Sequence, residues 1–286
     1  IHHWNHWFIL SCSHRNARYD AVIWWIDVVV IIDVGKVFIG DTCIPFMQIT
    51  RTNPSVVLIE AWGSEERIAS MTDVIYRGAD PSHRVSGEKV VRRIRSFLRD
   101  GHHSVLEFMG ASWLLECSRA CTHELIRHRV ASYWQESQRY VDYGRGWARV
   151  IAPPGLDAGD AGFALYGELR SRGVEPEDAR YVLSNAAASR IWVQMNAREF
   201  FINYLPLRTG LGAFHEIRLI SWLMFNTVLE RFPITAEWAW THVTDHPDYC
   251  RGMETQDRGM CREKSIKEAF SKWGMEVPEP LRKLMN

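Results

Sequence analysis

Arg127-His128-Arg129-Val130-Ala131-Ser132-Tyr133-Trp134-Gln135-Glu136-Ser137-Gln138-Arg139-Tyr140 gathers three arginines, a histidine and two serines into one short segment. A guanidinium presents a planar fork of donors that matches a phosphate bidentately, and serine hydroxyls add short donors to the same oxygens. Anion binding is therefore the first inference. The competing reading, a solvated helix face carrying i,i+4 charge pairs, is weak here because only Glu124 and Glu136 lie close enough in sequence to serve as partners. Arg127 and Arg129 are two positions apart, so on a helix they cannot share one face and point towards two different ligands or protomers.

Composition sets the outer limits. A chain of 286 residues buries a large core, and one main domain is expected. Lys plus Arg equals Asp plus Glu at 34 each, so no overall field favours nucleic acid or a membrane surface, and any anion site must be local. Cys12, Cys43, Cys117, Cys121, Cys250 and Cys261 form no CxxC pair, and the chain is too long to need disulfide staples. A reducing cytoplasm is the expectation. Cys117 and Cys121, four apart on an apolar stretch, read as core residues, not redox partners. The apolar run from Ala21 to Val34 is broken by Asp27 and Asp33 and is too short to span a bilayer, so no membrane association is expected. Its β-branched residues, Val28 to Ile32, suggest one buried strand ending near Gly35. His2, His3, His6 and His14 are irregularly spaced without Cys or Asp partners and are not read as a metal site; no metal is expected.

Regular patterning begins at Ser55. Val56 to Ile59 make a short strand, and Ser64 caps a helix with an acidic first turn running to about Arg77. Ser86 is expected to cap a second helix, whose Val90, Val91, Ile94, Phe97 and Leu98 fall at helical spacing and which Asp100-Gly101 stops. Trp113, Leu114 and Leu115 favour a strand, and Cys121 to Arg129 can be helical. The C-terminal half reads mostly as helix: Asp160 to Arg172, a start at Glu175-Pro176, long helices around 196–204 and 213–231 closed by Pro233, then Ala236 to His242. The remainder is polar. No Walker or Rossmann glycine pattern is present, so a bound nucleotide or flavin would need side-chain cations for its phosphates in place of a glycine-rich cradle.

Arg127-His128-Arg129, Ser132 and Ser137-Gln138-Arg139 resemble the RHR-x2-S-x4-S-x-R signature of flavin-dependent thymidylate synthases. Two other blocks agree with it: Gly101-His102-His103-Ser104 through Glu107, and Arg190, Asn196 to Glu199, Leu205 to Thr209 and Glu216-Ile217-Arg218. The resemblance implies an α+β fold with a central, mainly antiparallel sheet flanked by helices and a helix-rich C-terminal half. It divides the chain into an extension (1–54), a catalytic domain (55–242) and a C-terminal tail or extension (243–286).

It also implies roles. His102, Ser104, Arg127, His128, Arg129, Gln135 and Arg208 would contact FAD. Glu124, Arg127, Gln135, Glu136, Ser137, Gln138, Arg139, Arg190 and Arg218 would hold dUMP, with Arg218 as the catalytic cation that stabilises the ionised uracil. Methylenetetrahydrofolate would donate the carbon, NADPH would reduce the flavin, and a homotetramer would share its sites between protomers. Glu124, Trp134, Gly210 and Gly212 depart from the family's usual residues. The alternative readings are a non-catalytic nucleotide-binding protein of the same fold and, against the zero net charge, a nucleic-acid contact domain.

Overall fold

The computed structural model describes the backbone of residues 19–25, 28–33, 36–39 and 42–45, and the full chain over 49–145, 148–251 and 258–286. The N-terminal histidines at 2–14, the side chain of Cys43 and the burial expected of Val28 to Ile32 lie outside those described residues. Strands β1 (Tyr19–Trp25), β2 (Val28–Asp33), β3 (Lys36–Ile39) and β4 (Thr42–Pro45) pair antiparallel in that order. The short β5 (Thr50–Arg51) leads into β6 (Ser55–Trp62), the first strand of the principal sheet.

Helix α1 (Glu65–Arg77) starts where Ser64 accepts a hydrogen bond from the Arg67 amide and ends at Gly78 in the left-handed region (φ 63°), which glycine adopts without a Cβ penalty. Helix α2 (Glu88–Arg99) follows, but Gly87, not Ser86, occupies its cap and no side chain satisfies the first amides. A 3-10 turn over His103–Phe108 delivers the chain to β7 (Gly110–Ser118). Ser118 then caps α3 (Arg119–Leu125), donating nothing to the turn but accepting from the Cys121 amide. α3 is shorter than the helix expected to reach Arg129. β8 (Ser132–Gln135), β9 (Arg149–Val150), α4 (Asp160–Ser171) and the single turn α5 (Pro176–Ala179) come next.

The largest departure from the sequence reading is β10 (Ala188–Asn196), a full strand in a stretch read as part of a helical half. It is one of the sheet's two inner strands, in the order β6-β7-β10-β8 with every neighbour antiparallel. Ile191, Val193 and Met195 are buried while Arg190, Trp192 and Gln194 alternate to the other face, the period of two that defines a half-buried strand. A π-helical turn (Glu199–Tyr204), α6 (Leu205–Thr209) and α7 (His215–Val228) follow. Pro233 does not close α7, which stops at Val228, but opens α8 (Pro233–His242), where its missing amide costs nothing.

α7 packs on β6 and β7 and carries α9 (Arg258–Lys272) on its other side; α10 (Glu279–Met285) closes the chain. The polar C-terminal segment therefore contributes Cys261, Ile266, Phe270, Trp273 and Leu281 to the same core as the principal sheet. A second cluster around Tyr143, Phe163 and Tyr166 sits under α4. One expectation about the cysteines is overturned: Cys250 and Cys261 are disulfide-bonded. Chain length removes the need for staples but does not prevent two thiols brought to bonding distance by packing from pairing. Cys117 and Cys121 are free and fully buried, as the core reading expected.

Candidate functional site

The Arg-His-Arg element is shaped by the end of α3. The Arg127 amide donates to the Glu124 carbonyl (3.2 Å) and the His128 amide to the Leu125 carbonyl (3.0 Å), so the helix closes into a turn. That turn sends His128 inward, only 8% exposed, while Arg127 and Arg129 face solvent. His128 Nε2 lies 2.7 Å from Glu199 Oε1 in the π-helical turn, and its ring meets Tyr204 edge-on at 5.0 Å. Burial lowers the imidazole pKa and the Glu199 charge opposes this only in part, which favours the neutral ring. The Tyr133 hydroxyl donates to the carbonyls of His128 (2.6 Å) and Leu125 (3.0 Å), fixing the same turn from the β8 side. The histidine is thus an anchor between two displayed cations. Among the described residues no carboxylate comes within ion-pairing distance of Arg127 or Arg129.

Arg208, at the end of α6, pairs with Glu124 (3.0 Å), so the carboxylate that departs from the family pattern is neutralised by a cation from another element. Arg208 Nε is buried without a partner. A cavity of about 210 Å3 opens beside this pair, with Gly210, Gly212 and Arg251 also on its wall. Gln135 points to the same side of the sheet and donates to Thr122 of α3 (3.1 Å) and to Ser189 of β10 (3.0 Å).

The opposite face of the sheet carries the other half of the expected residues. The register sets Arg190 across from Glu116, and its Nε meets Glu116 Oε2 at 3.0 Å. Arg149 reaches the second oxygen of Glu116 (3.0 Å) and lies 3.7 Å from Glu136, which also accepts from Tyr143 (3.1 Å). Ser137 Oγ accepts from the Arg139 amide (3.2 Å), and Arg139 pairs with Glu177 of α5 (2.5 Å); Ser137 and Gln138 are half-buried beside them. Glu116, Arg149 and Glu177 were missed in the sequence because their partners are distant in the chain and no local spacing marks them.

Arg218 of α7 is 7% exposed, with one terminal nitrogen 3.1 Å from Glu268 of α9 and its Nε buried without a partner. Two residues earlier, Glu216 faces the sheet and accepts from the Ser118 amide (2.7 Å) and hydroxyl (2.6 Å). Its carboxyl and the thiols of Cys117 and Cys121 lie within 4.8 Å of one another, but both carboxylate oxygens are already engaged and the Cys117 contact and burial keep the Cys121 thiol protonated. His102 and Ser104 are exposed on the turn before β7, whereas His103 is held by the Leu98 carbonyl (3.1 Å) and the Trp238 ring (5.5 Å). Among the described residues no hydrogen bond joins His102 or Ser104 to the arginine element.

Displayed, unpaired guanidiniums are what a phosphate-bearing flavin or nucleotide needs, in a chain without a glycine-rich cradle. The match to known proteins agrees with that chemistry. A family described as thymidylate synthase complementing protein matches residues 57–234, and the chain belongs to this family. It is 43% identical over 232 residues to a flavin-dependent thymidylate synthase of Pyrobaculum aerophilum, covering 79% of this chain and 93% of that protein. A flavin-dependent thymidylate synthase of Pyrococcus furiosus is 34% identical over 170 residues, 52% of this chain and 66% of that one. Among solved structures, a UMP/dUMP methylase, PolB from Streptomyces cacaoi, bound with 5-Br dUMP, superposes with a TM-score of 0.59 at 23% identity. That superposition covers 68% of this chain and 97% of the other, a likeness of fold.

Proposed function

We propose that the chain is a flavin-dependent thymidylate synthase that converts dUMP to dTMP, taking the carbon from 5,10-methylenetetrahydrofolate and reducing power from NADPH. The observation that carries this reading is the pair of displayed arginines, Arg127 and Arg129, on either side of buried His128, within a chain 43% identical to a relative of that name. FAD, when bound, supplies the hydride. The residues on its side are His102, Ser104, Arg127, His128, Arg129, Gln135 and Arg208. His128 holds the turn that aims the two cations, and Arg208, paired with Glu124, sets a cation at the wall of the neighbouring cavity.

Glu124, Arg127, Gln135, Glu136, Ser137, Gln138, Arg139, Arg190 and Arg218 are the proposed dUMP residues. The arginines neutralise the phosphate charge and the Ser137 hydroxyl donates to its oxygens. Arg218 acts on the base: a fixed guanidinium, cationic at any physiological pH, stabilises negative charge on the uracil ring and makes C5 more nucleophilic. Cys117 and Cys121 are fully buried and Cys250 is bonded to Cys261, so none of these four offers an exposed thiol, and the proposed C5 activation is electrostatic. We further infer a homotetramer with sites shared between protomers and a cytoplasmic setting, where these metabolites occur. The exposed apolar side chains beside Arg190 support the assembly.

Purified protein tests the reading directly. Flavin absorbance, bleaching by NADPH, and dTMP formed on addition of dUMP and methylenetetrahydrofolate are expected. A flavin-loaded protein that binds dUMP and makes no dTMP would leave only a non-catalytic nucleotide-binding protein.

A further inference from the structure

We propose that Arg149, on the short strand β9, is a positioning residue of the nucleotide site: it neutralises Glu116 and Glu136 so that Arg190 keeps its charge for the dUMP phosphate. This rests on the reading of Glu136, Ser137, Arg139 and Arg190 as dUMP residues. Arg149 belongs to none of the three sequence blocks that carry the family resemblance.

Backbone pairing fixes where Arg149 stands. β9 runs parallel to β5 with Arg149 opposite Thr50, whose amide donates to the Ala148 carbonyl (3.0 Å). On its other side Val150 bridges to Ala187, and the Ile151 amide donates to the Ala186 carbonyl (2.9 Å), just before β10 begins. Ala148 and Val150 are buried in the cluster under α4, and alternation along the strand turns Arg149 the other way. There it meets Glu116 of β7 and Glu136, the residue after β8. Its Nε lies 3.0 Å from Glu116 Oε1 and a terminal nitrogen lies 3.7 Å from Glu136 Oε2. The Nε–H is not aimed at the Glu116 oxygen, so the contact is one of charge, not a hydrogen bond. All three side chains are less than a fifth exposed, where solvent ions screen little.

The charges around Arg190 show what Arg149 does. Glu116 Oε2 takes the Arg190 Nε (3.0 Å), and Glu136 Oε1 accepts from the Tyr143 hydroxyl (3.1 Å). Arg190 meets Glu116 through Nε alone, and its side chain is 43% exposed, so the outer edge of its guanidinium is presented to solvent. Without Arg149, two carboxylates would share that one cation, and the surplus negative charge would oppose a phosphate. With it the four groups balance. Enclosed between two carboxylates, Arg149 is not itself placed to meet the ligand; it acts through Arg190.

The test measures KM and kcat for dUMP, and FAD affinity by flavin fluorescence, in the parent, Arg149→Gln, Arg149→Lys, and Arg149→Gln combined with Glu116→Gln. Arg149→Gln is expected to raise KM for dUMP about tenfold, with the effect on KM, not kcat, and with FAD affinity unchanged. Arg149→Lys keeps the charge and is expected to stay near the parent. A Gln at 116 restores the charge balance and still accepts from Arg190 Nε, so the double variant is expected to recover most of the loss. A role in packing alone predicts the reverse, because the second change removes a further contact. Unchanged KM in Arg149→Gln, a double variant as impaired as the single, or a Lys variant as impaired as the Gln overturns the proposal while leaving the enzyme assignment intact. Should Arg149→Gln fail to fold, Glu116→Gln alone decides: with Arg149 kept, it is expected to lower KM for dUMP, and a raised KM overturns the proposal. A parent protein that binds no dUMP overturns both.

Discussion

Arg218 and Glu216 sit two residues apart on α7, so they leave the helix on different sides and do separate work. Arg218 is held at one terminal nitrogen by Glu268 and keeps a buried, unpartnered Nε. Arg218→Lys preserves the charge but not the planar fork, so dTMP formation is expected to fall by about 10²-fold with flavin content and NADPH reduction unchanged. Stopped-flow traces of flavin reduction and re-oxidation separate these steps, and re-oxidation at the parent rate would remove Arg218 from the chemistry. Burial pushes the Glu216 carboxyl from 4.5 up to about 7, against the opposing pull of its two Ser118 donors. The folded state therefore binds the proton more tightly than the unfolded chain. Stability from this group is fully present below about 4.5 and is lost as pH rises through about 7. Glu216→Gln, which mimics the neutral acid, should flatten that loss, worth at most about 3 kcal/mol, in urea unfolding curves taken across the window. Parallel pH profiles for parent and variant would contradict it.

At the level of elements, the sheet depends on the close packing around Gly110, where β7 pairs antiparallel with the end of β10. A Cβ there would fall 2.5 Å from the Met195 carbonyl and 2.3 Å from the Trp62 ring. Gly110→Ala should therefore cost about 3 kcal/mol or more, read as a lowered unfolding midpoint; an unchanged midpoint would mean the strands separate freely. Much of this layer was legible in the sequence, because local signals coincide with local structure. Ser64 caps α1, the spacing of Val90 to Leu98 gives α2, and Trp113 to Leu115 lie in β7. β10 was legible and was missed. Its alternation from Arg190 to Met195 has period two, but adjoining helical signals drew the whole half towards helix. The arginines of the site were equally plain. Their partners were not: Glu116, Glu177, Glu199 and Glu268 meet Arg190, Arg139, His128 and Arg218 only through tertiary packing. The Cys250–Cys261 bond escaped for the same reason, as its spacing fits no motif and only the packing of α9 brings the pair together.

Across the whole molecule, the outer face of the principal sheet is apolar beside the arginines proposed to bind the nucleotide. Trp134 is 76% exposed and stacks at 6.2 Å on Trp192, itself 40% exposed, with Val57, Ile59 and Leu114 continuing the face across β6 and β7. Contiguous apolar surface of this kind marks an interface. Arg190 leaves β10 on the same face as Trp192, so a second protomer covering the tryptophans would also close over the proposed nucleotide residues. If the proposed homotetramer uses this face, Trp134→Asp is expected to give smaller species than the parent in light scattering and to lower dUMP affinity at the same time. A variant of unchanged mass and affinity would show that the face takes no part in assembly.

The central claim is that this chain activates C5 of dUMP without a thiol, through fixed cations and a reduced flavin. Release of tritium from C5-labelled dUMP measures that event directly. The account predicts release that requires methylenetetrahydrofolate and reduced FAD, proceeds alongside dTMP formation, persists when Cys117 and Cys121 are both replaced by Ser, and falls about 10²-fold in Arg218→Lys. Release abolished by the cysteine replacements in a folded, flavin-loaded protein, or undiminished in Arg218→Lys, would contradict it.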